Sequence, residues 1–281
     1  MEKLIDGKLI SDKLRSKIAQ ETAAFIEETK IIPHLTVVIV GQDPASKTYV
    51  RNKQKACAAV GMKSTIVELE ANITEVELLD RIKTLNEDHE VHGILVQLPL
   101  PQHINEDAVI AAIEVKKDVD GFHPYQVGCL VAGIDTLKPC TPSGVIELLK
   151  AYKIEMTGKH AVIVGRSHIV GKPLIQLLLD ENATVTVCHS KTQDLAKLTQ
   201  MADILLVAIG RPYFITVDMV KEGAVVIDVG INRLNTGKLA GDVDFDAVSK
   251  KASYITPVPG GVGPMTITML LRNTLEAARR G

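Results

Sequence analysis

Tyr49 and Lys53 are the first residues in this chain whose types and spacing could perform chemistry. They stand four positions apart in a segment with helical patterning, so both side chains lie on one face of the predicted helix. A phenol beside an amine can take part in proton transfer, and burial would lower the pKa of the amine. The same spacing is typical of an ordinary amphipathic helix with an exposed lysine. The pair alone therefore favours the second, purely structural interpretation.

Two further polar residues stand near the ends of predicted strands. Gln97 belongs to the apolar segment GILVQL, and the carboxyl edge of an open α/β sheet faces its ligand crevice. Asp120 belongs to the turn segment DVDGF, where its carboxylate could accept two parallel N–H bonds from a heterocycle edge such as that of a pterin. The alternatives are a strand-end amide bonded to local backbone and a simple Asx turn.

The segment AVIVGRSHIVGKPL, residues 161–174, carries the most informative local pattern. A buried strand, a turn at Gly165 and a helix start form the arrangement that holds the pyrophosphate of a dinucleotide. Arg166 and Ser167 follow in the turn, and the next strand ends in CHS, residues 188–190, without an acidic residue. Such an acid would bind a ribose 2′-hydroxyl, whereas a cation suits a 2′-phosphate. The segment therefore favours NADP over NAD.

The segment PVPGGVGP, residues 257–264, predicts a second ligand loop, because glycines let backbone amides approach a bound molecule. It separates a predicted last strand at 254–258 from a final helix that we expect to begin at Pro264. The eight histidines are scattered without ligand spacing, so we predict no metal site. The four widely spaced cysteines are expected to be reduced thiols in the core.

Strands and helices alternate along the whole chain, which predicts an α/β fold with parallel, doubly wound sheets. Helix starts are indicated by Asp43-Pro44, by a capping box of Thr74 with Glu77, and by Thr141-Pro142. Strands are predicted at 35–40, 65–69, 93–98, 160–164, 183–187, 203–208 and 224–229. We therefore expect two α/β domains, the second a Rossmann-like doubly wound parallel sheet, with a ligand cleft between them.

The bulk properties exclude several classes of protein. The chain has 281 residues, a net charge of −2, 46% hydrophobic residues and 23% charged residues, with no basic run. We therefore expect neither a nucleic-acid nor a membrane partner. The N-terminus is charged from its second residue, and no apolar run approaches the roughly 20 residues of a membrane span. The expected location is cytoplasmic.

The order of the motifs is more specific than any one of them. The order is Y-x-x-x-K (49–53), GILVQLPLP (93–101), DVDGF (118–122), PCTPSG (139–144), GRSHIVGKP (165–173), CHSKT (188–192), DVGIN (228–232) and TPVPGGVGPMT (256–266). In this order they closely resemble the bifunctional methylenetetrahydrofolate dehydrogenase/methenyltetrahydrofolate cyclohydrolase family. The resemblance spans nearly the whole chain.

The resemblance implies two successive reactions on a folate substrate. NADP-dependent oxidation converts 5,10-methylenetetrahydrofolate to 5,10-methenyltetrahydrofolate, and hydrolysis then gives 10-formyltetrahydrofolate. These reactions supply one-carbon units for purine, methionine and histidine biosynthesis. The resemblance also implies a homodimer, a folate-binding catalytic domain at 1–140 completed by a helix at 264–281, and an NADP-binding domain at 141–263.

The resemblance further implies roles for single residues. Lys53 corresponds to the central catalytic residue of the cyclohydrolase, Tyr49 and Gln97 to the residues that flank it, and Asp120 to the anchor of the pterin. The corresponding NADP-contacting positions are Gly165, Arg166, Ser167, Ser190 and Ile231, and those of the loop lining the folate site are Gly261 and Val262. His168 stands where many members have Asn, and we expect only a small effect on cofactor affinity.

Three other interpretations of the sequence are less well supported. A dehydrogenase that has lost the cyclohydrolase is disfavoured by the intact set Tyr49, Lys53, Gln97 and Asp120. A second alternative is another NADP enzyme of the same architecture, such as an amino-acid or shikimate-type dehydrogenase. The segments DVDGF and PGGVGPMT favour a folate substrate over this alternative. A non-catalytic regulator would bind NADP without turnover, and the polar groups expected in the cleft argue against it.

Overall fold

The computed structural model describes residues 3–281, which divide into two compact units. The six-stranded unit comprises residues 3–12 and Thr141–Thr266, and the three-stranded unit comprises Lys13–Cys140 and Ile267–Gly281. Both units combine helices with a parallel sheet, so the predicted α/β class with two domains is confirmed. Within the described residues, no helix is both long and apolar enough to cross a bilayer.

The elements are numbered here in chain order. The strands are β1 (Lys3–Leu4), β2 (His34–Val40), β3 (Lys63–Leu69), β4 (Gly93–Val96), β5 (His160–Val164), β6 (Thr184–Cys188), β7 (Ile204–Val207), β8 (Val225–Asp228), β9 (Asn232–Arg233), β10 (Leu239–Ala240) and β11 (Tyr254–Ile255). The helices are α1 (Gly7–Thr29), α2 (Pro44–Ala59), α3 (Glu75–Glu87), α4 (Glu106–Ala112), α5 (Pro124–Ala132), α6 (Cys140–Ala151), α7 (Gly171–Asp180), α8 (Leu195–Thr199), α9 (Phe245–Val248) and α10 (Val262–Arg280).

The three-stranded unit is built around a parallel sheet in the order β3-β2-β4. All of β2 is buried, as expected for a central parallel strand covered on both faces. Its core includes Val38, Leu78, Ile82, Ile94 and Val109, contributed by the sheet, α3 and α4. The carboxyl ends of β2 and β4 lie side by side, which brings the residues that follow them together.

The six-stranded unit has a parallel sheet in the order β1-β11-β8-β7-β5-β6. The chain turns from β5 outward to β6 and then back to β7 on the other side of β5. Such a switch point, at the carboxyl ends of the strands, is the usual place for a nucleotide in a doubly wound sheet. A short antiparallel hairpin, β9 with β10, stands apart from the sheet.

Two of the predicted helix starts are confirmed at the level of single bonds. The Asp43 side chain accepts the Ser46 N–H, with Pro44 opening α2. Thr74 and Glu77 form both bonds of a capping box at the start of α3. These starts depend only on residues within a few positions, which is why the sequence predicts them well.

Other boundaries differ from prediction. β4 ends at Val96 rather than Leu98, and β11 has only two residues. α10 begins at Val262 rather than Pro264, because a proline is tolerated in the first turn, where N–H groups have no partner within the helix. The structure also contains β1, α1, α5 and the β9–β10 hairpin, which the sequence patterns did not indicate. β1 pairs with β11 at the edge of the six-stranded sheet, whereas we expected the N-terminus in the first domain.

Candidate active site

Lys53 is a buried amine of the three-stranded unit. It lies on α2, the helix that follows β2, and its side chain is 8% exposed. Its Nζ donates a hydrogen bond to Oε1 of Gln97 at 3.0 Å. Tyr49 lies one turn earlier on α2 and is partly exposed, so the hydroxyl-bearing ring faces a more open region than the amine. The structure therefore brings Lys53 and Gln97 into direct contact.

Gln97 is held by three hydrogen bonds that fix which end of its amide faces Lys53. Its backbone N–H donates to Val38 O at 2.8 Å, which continues the pairing of β4 with β2 beyond the end of the strand. Its Nε2 donates to Leu98 O at 2.8 Å, so Oε1 is the atom presented to the amine. The Gln97 side chain therefore acts as an oriented acceptor for Lys53.

The two acids of the segment DVDGF differ in what they bind. One forms the turn, and the other keeps its carboxylate available to a ligand. Asp118 accepts the N–H groups of Gly121 at 3.2 Å and His123 at 2.7 Å, and it is the residue that forms the turn. Its backbone bridges to Ile94, which attaches the segment to the edge of β4. Asp120 follows two residues later and interacts electrostatically with Lys53. The free carboxylate of the segment is therefore that of Asp120.

Burial governs the ionisation of this cluster. It lowers the pKa of the Lys53 ammonium, and the nearby Asp120 carboxylate opposes that shift. Burial also raises the pKa of Asp120, with Lys53 opposing. Tyr49 has its pKa raised by burial and stays a phenol at neutral pH. The arrangement holds an amine and a carboxyl group whose proton distribution is easily changed by a third charged group.

Two residues that were not predicted to belong to the site support this cluster. Asn273, on α10, donates through Nδ2 to Val119 O at 2.8 Å and to Lys138 O at 2.9 Å. The buried Cys140 thiol donates to the same Val119 carbonyl at 3.2 Å, and Asn273 also contacts its sulfur. Both fix the backbone next to Asp120. No local pattern could indicate the role of Asn273, because it is more than a hundred residues from Val119 and Lys138 in sequence.

The six-stranded unit contains a cavity of 490 Å³ at the carboxyl ends of its central strands. Three of the positions that we predict to contact the cofactor line it, namely Gly165, Arg166 and Ser190. Gly165 has φ of +127°, and a Cβ there would lie 2.2 Å from Ala208 O, so only glycine fits this turn. Ser167 stands beside the cavity, where its Oγ accepts the N–H groups of Val170 and Gly171 at the start of α7.

These residues fit a phosphorylated dinucleotide. The tight turn between β5 and α7 leaves room for a ligand close to the backbone, and Arg166 is an exposed cation at its side. The end of β6 offers Cys188, His189 and Ser190 and no carboxylate. The donor set therefore suits a 2′-phosphate better than a free ribose 2′-hydroxyl.

The remaining predicted residues lie elsewhere in the same unit. Ile231 does not line this cavity; its side chain is exposed and packs near Gly263, at the start of α10. Gly261 and Val262 are both buried at that helix start. The adjacent Gly260 carbonyl accepts the Lys8 N–H at 3.1 Å, so the N-terminal segment holds this loop in place. The predicted cofactor and folate positions thus form two groups around different loops.

Family models match both parts of the chain. One described as tetrahydrofolate dehydrogenase/cyclohydrolase, catalytic domain, matches residues 5–120. One described as tetrahydrofolate dehydrogenase/cyclohydrolase, NAD(P)-binding domain, matches residues 139–281. The first match contains the Lys53 cluster, and the second contains the cavity at Gly165.

Relatives match over the full length. The bifunctional protein FolD of Bacillus anthracis is 57% identical over 277 residues, 99% of this chain and 96% of the relative. The crystal structure of the bifunctional dehydrogenase/cyclohydrolase FolD from Campylobacter jejuni has a TM-score of 0.97 and 54% identity, covering 100% of this chain and 99% of that one. A Trypanosoma brucei methylenetetrahydrofolate dehydrogenase-cyclohydrolase, complexed with NADP cofactor and inhibitor, has a TM-score of 0.95 and 42% identity, covering 99% and 98%.

Proposed function

This chain belongs to the tetrahydrofolate dehydrogenase/cyclohydrolase family and is a bifunctional enzyme of folate one-carbon metabolism, and we propose that the Lys53 cluster is its catalytic centre. The observation that carries the proposal is the contact between the buried Lys53 amine and the oriented Gln97 amide. A buried amine with a lowered pKa and a single acceptor is suited to proton transfer.

The hydrolytic step is where a proton must move. Water adds to the carbon of the cationic amidinium of methenyltetrahydrofolate, loses a proton, and the ring then opens to 10-formyltetrahydrofolate. The substrate cation disfavours the charged form of Lys53, in the same direction as its burial, so the neutral amine is available to take the proton from water. Gln97 holds the amine in position, and Tyr49 can donate a hydrogen bond from its phenol.

The oxidative step needs alignment more than acid or base. NADP, when bound, accepts the hydride that leaves the methylene bridge of the folate. The protein contributes by holding substrate and cofactor in the correct geometry. We propose that Asp120 anchors the pterin, since its carboxylate can accept two parallel N–H bonds. Gly261 and Val262 would line the folate site from their loop.

The proposed cofactor contacts follow from the cavity at the carboxyl ends of β5 and β7. Gly165 and Ser167 would hold the turn against the pyrophosphate, while Arg166 and Ser190 would bind the 2′-phosphate. Ile231 lies outside this cavity, and it is proposed as a further cofactor contact on family membership alone. A homodimer is also proposed, on family membership alone; sedimentation equilibrium would then give about twice the chain mass of 30.4 kDa.

One absorbance time course tests the proposed function. Purified protein is mixed with methylenetetrahydrofolate and either NADP or NAD, and reduced nicotinamide and methenyltetrahydrofolate are followed together. We expect reduced cofactor to form faster with NADP, while methenyltetrahydrofolate stays low because it is hydrolysed. Accumulation of methenyltetrahydrofolate in step with the cofactor would contradict the role of Lys53. Absence of turnover with both cofactors would contradict the whole proposal.

A further inference from the structure

Arg211 and Phe214 form a wall of the 490 Å³ cavity that belongs to none of the recognised motifs. The Arg211 guanidinium lies over the Phe214 ring, with its Cζ 4.5 Å from the ring centre. The other walls include Arg166 and Ser190, which we have proposed for the 2′-phosphate. The cavity therefore contains a second cation, held against an aromatic ring rather than against a carboxylate.

The backbone that carries Arg211 is fixed by a buried carboxylate. Asp242 has 0% exposure and accepts three successive backbone N–H groups, those of Ile209 at 2.7 Å, Gly210 at 3.0 Å and Arg211 at 2.8 Å. It also accepts a hydrogen bond from Nδ2 of Asn232 at 2.9 Å. The turn after β7 is therefore rigid at the residue from which the Arg211 side chain extends.

Guanidinium groups are planar and stack on aromatic surfaces. Phe214 supports one side of the Arg211 guanidinium, and the residue is otherwise exposed at the cavity. A flat cation supported on one side offers its other side to a flat, electron-rich ring. The dinucleotide carries two planar rings, adenine and nicotinamide. The oxidised nicotinamide is itself a cation, so the electron-rich ring is the adenine, which is common to NADP and NAD.

We propose that Arg211 binds the adenine ring of the cofactor by stacking, with Phe214 as its support and Asp242 as the positioning residue beneath it. This inference rests on the proposed function, because it assumes that the cavity holds the adenosine half of NADP. The proposal gives the two arginines of the cavity different roles. Arg166 reads the 2′-phosphate and sets the preference for NADP, whereas Arg211 contributes equally to both cofactors.

The test is a binding titration with the whole protein. NADPH is titrated by its own fluorescence and then displaced by 5′-AMP or by 2′,5′-ADP. For Arg211→Ala we expect both displacing nucleotides to bind about tenfold more weakly, since stacking of a base on a flat side chain contributes roughly that much. Arg211→Lys keeps the charge but lacks the flat surface, so its affinity for both nucleotides should be nearly as weak as that of Arg211→Ala. Phe214→Leu should give a smaller loss of the same kind.

Two controls make the result decisive. Arg233→Ala removes an exposed arginine of the same unit outside the cavity and should leave both affinities unchanged. Hydrolysis of methenyltetrahydrofolate, which needs no cofactor, should be unchanged in every variant and reports that the protein is folded. In the dehydrogenase assay, Arg211→Ala should raise KM for NADP while kcat changes little.

The opposite outcomes are equally clear. If Arg211→Ala weakens only 2′,5′-ADP and Arg211→Lys restores it, Arg211 binds the phosphate and the stacking assignment is wrong. If neither nucleotide is affected, Arg211 makes no contact with the cofactor. If the unaltered protein does not bind NADPH at all, the proposed function fails first, and that result is recognised before any variant is compared.

Discussion

Two clusters of buried charge in this molecule are built in opposite ways. In the six-stranded unit, Asp242 accepts four N–H groups, and Asp228 accepts those of Gly230 at 2.9 Å, Asp242 at 3.0 Å and Val243 at 2.9 Å. In the three-stranded unit, Lys53 donates to Gln97, and the Asp120 carboxylate accepts no hydrogen bond from the described part of the chain.

The difference indicates which buried charges support the backbone and which are available for catalysis. A carboxylate whose acceptor sites are filled by backbone N–H groups holds loops in place and has little capacity left for a ligand. Gly241 illustrates how closely the supporting cluster is packed, because a Cβ there would overlap the Asp228 carboxylate. A buried amine and carboxyl group that lack some of their hydrogen-bond partners destabilise the folded protein until a substrate binds them. The second pattern is therefore expected at a catalytic centre.

The largest expected effect comes from removing the incompletely bonded amine. Lys53→Met preserves much of the side-chain volume and removes the proton acceptor, so we expect cyclohydrolase turnover to fall about 1000-fold, within the range known for a lost general base. The dehydrogenase should lose far less, because hydride transfer needs no proton acceptor there. Separate assays of the two activities measure this.

Lys55→Met is the matched control for this prediction. Lys55 lies on the same helix but is exposed, so both activities should be retained. Equal losses of the two activities in Lys53→Met would mean that Lys53 supports substrate binding or folding rather than hydrolysis. Full cyclohydrolase turnover would remove it from the mechanism.

Removing a fully bonded carboxylate should act on stability and cofactor binding instead. In Asp242→Asn, one oxygen becomes an NH₂ group that faces backbone donors, so we expect a loss of about 2 kcal/mol in the free energy of unfolding. KM for NADP should rise because the turn at 209–211 loosens, while cyclohydrolase kcat is retained. Urea unfolding and the two activity assays check this, with the exposed Asp246→Asn as control. An unchanged KM would show that the turn does not depend on Asp242.

The two clusters also differ in how much of each can be predicted from the sequence. Helix starts at Asp43 and Thr74 and the turn at Gly165 are local, and the sequence predicts them. Lys53 is singled out by its spacing from Tyr49, and Gln97 by its place at the end of a predicted strand. The family resemblance then assigns the two to one site. Asn273 and Asp242 are not indicated, since their partners come from distant segments and no short pattern encodes such contacts. Arg211 is not indicated either, because its stacking on the nearby Phe214 depends on a turn that the distant Asp242 holds. The residues that could be predicted carry chemistry or begin an element. The missed ones hold backbone or, in the case of Arg211, extend from backbone that a distant residue holds.

Arg166→Ala distinguishes the two cations of the cofactor cavity. A charge-assisted hydrogen bond to a phosphate contributes about 1.5–3 kcal/mol, so KM for NADP should rise at least about tenfold more than KM for NAD. The measurement is the ratio of kcat/KM for the two cofactors. Arg211→Ala is the natural comparison, because it should leave that ratio unchanged. An equal effect of Arg166→Ala on both cofactors would remove its proposed role at the 2′-phosphate.

The smallest effect concerns the pH dependence of stability. Burial raises the pKa of Asp228 from 3.8 to about 6, against the N–H groups that favour its charged form. The native state therefore binds a proton that the unfolded chain has lost, and this contribution to stability, complete below about pH 4, is lost as the pH rises towards 6. The slope cannot exceed about 1.4 kcal/mol per pH unit for one proton. Asp228→Asn has no such proton, so its free energy of unfolding should fall less steeply between pH 4 and 6 than that of the unaltered chain, whatever its absolute stability. Asp246→Asn should keep the original slope. If Asp228→Asn also kept it, the charged form of Asp228 would be fully stabilised by its backbone donors, and the two clusters would differ even more than their hydrogen bonds indicate.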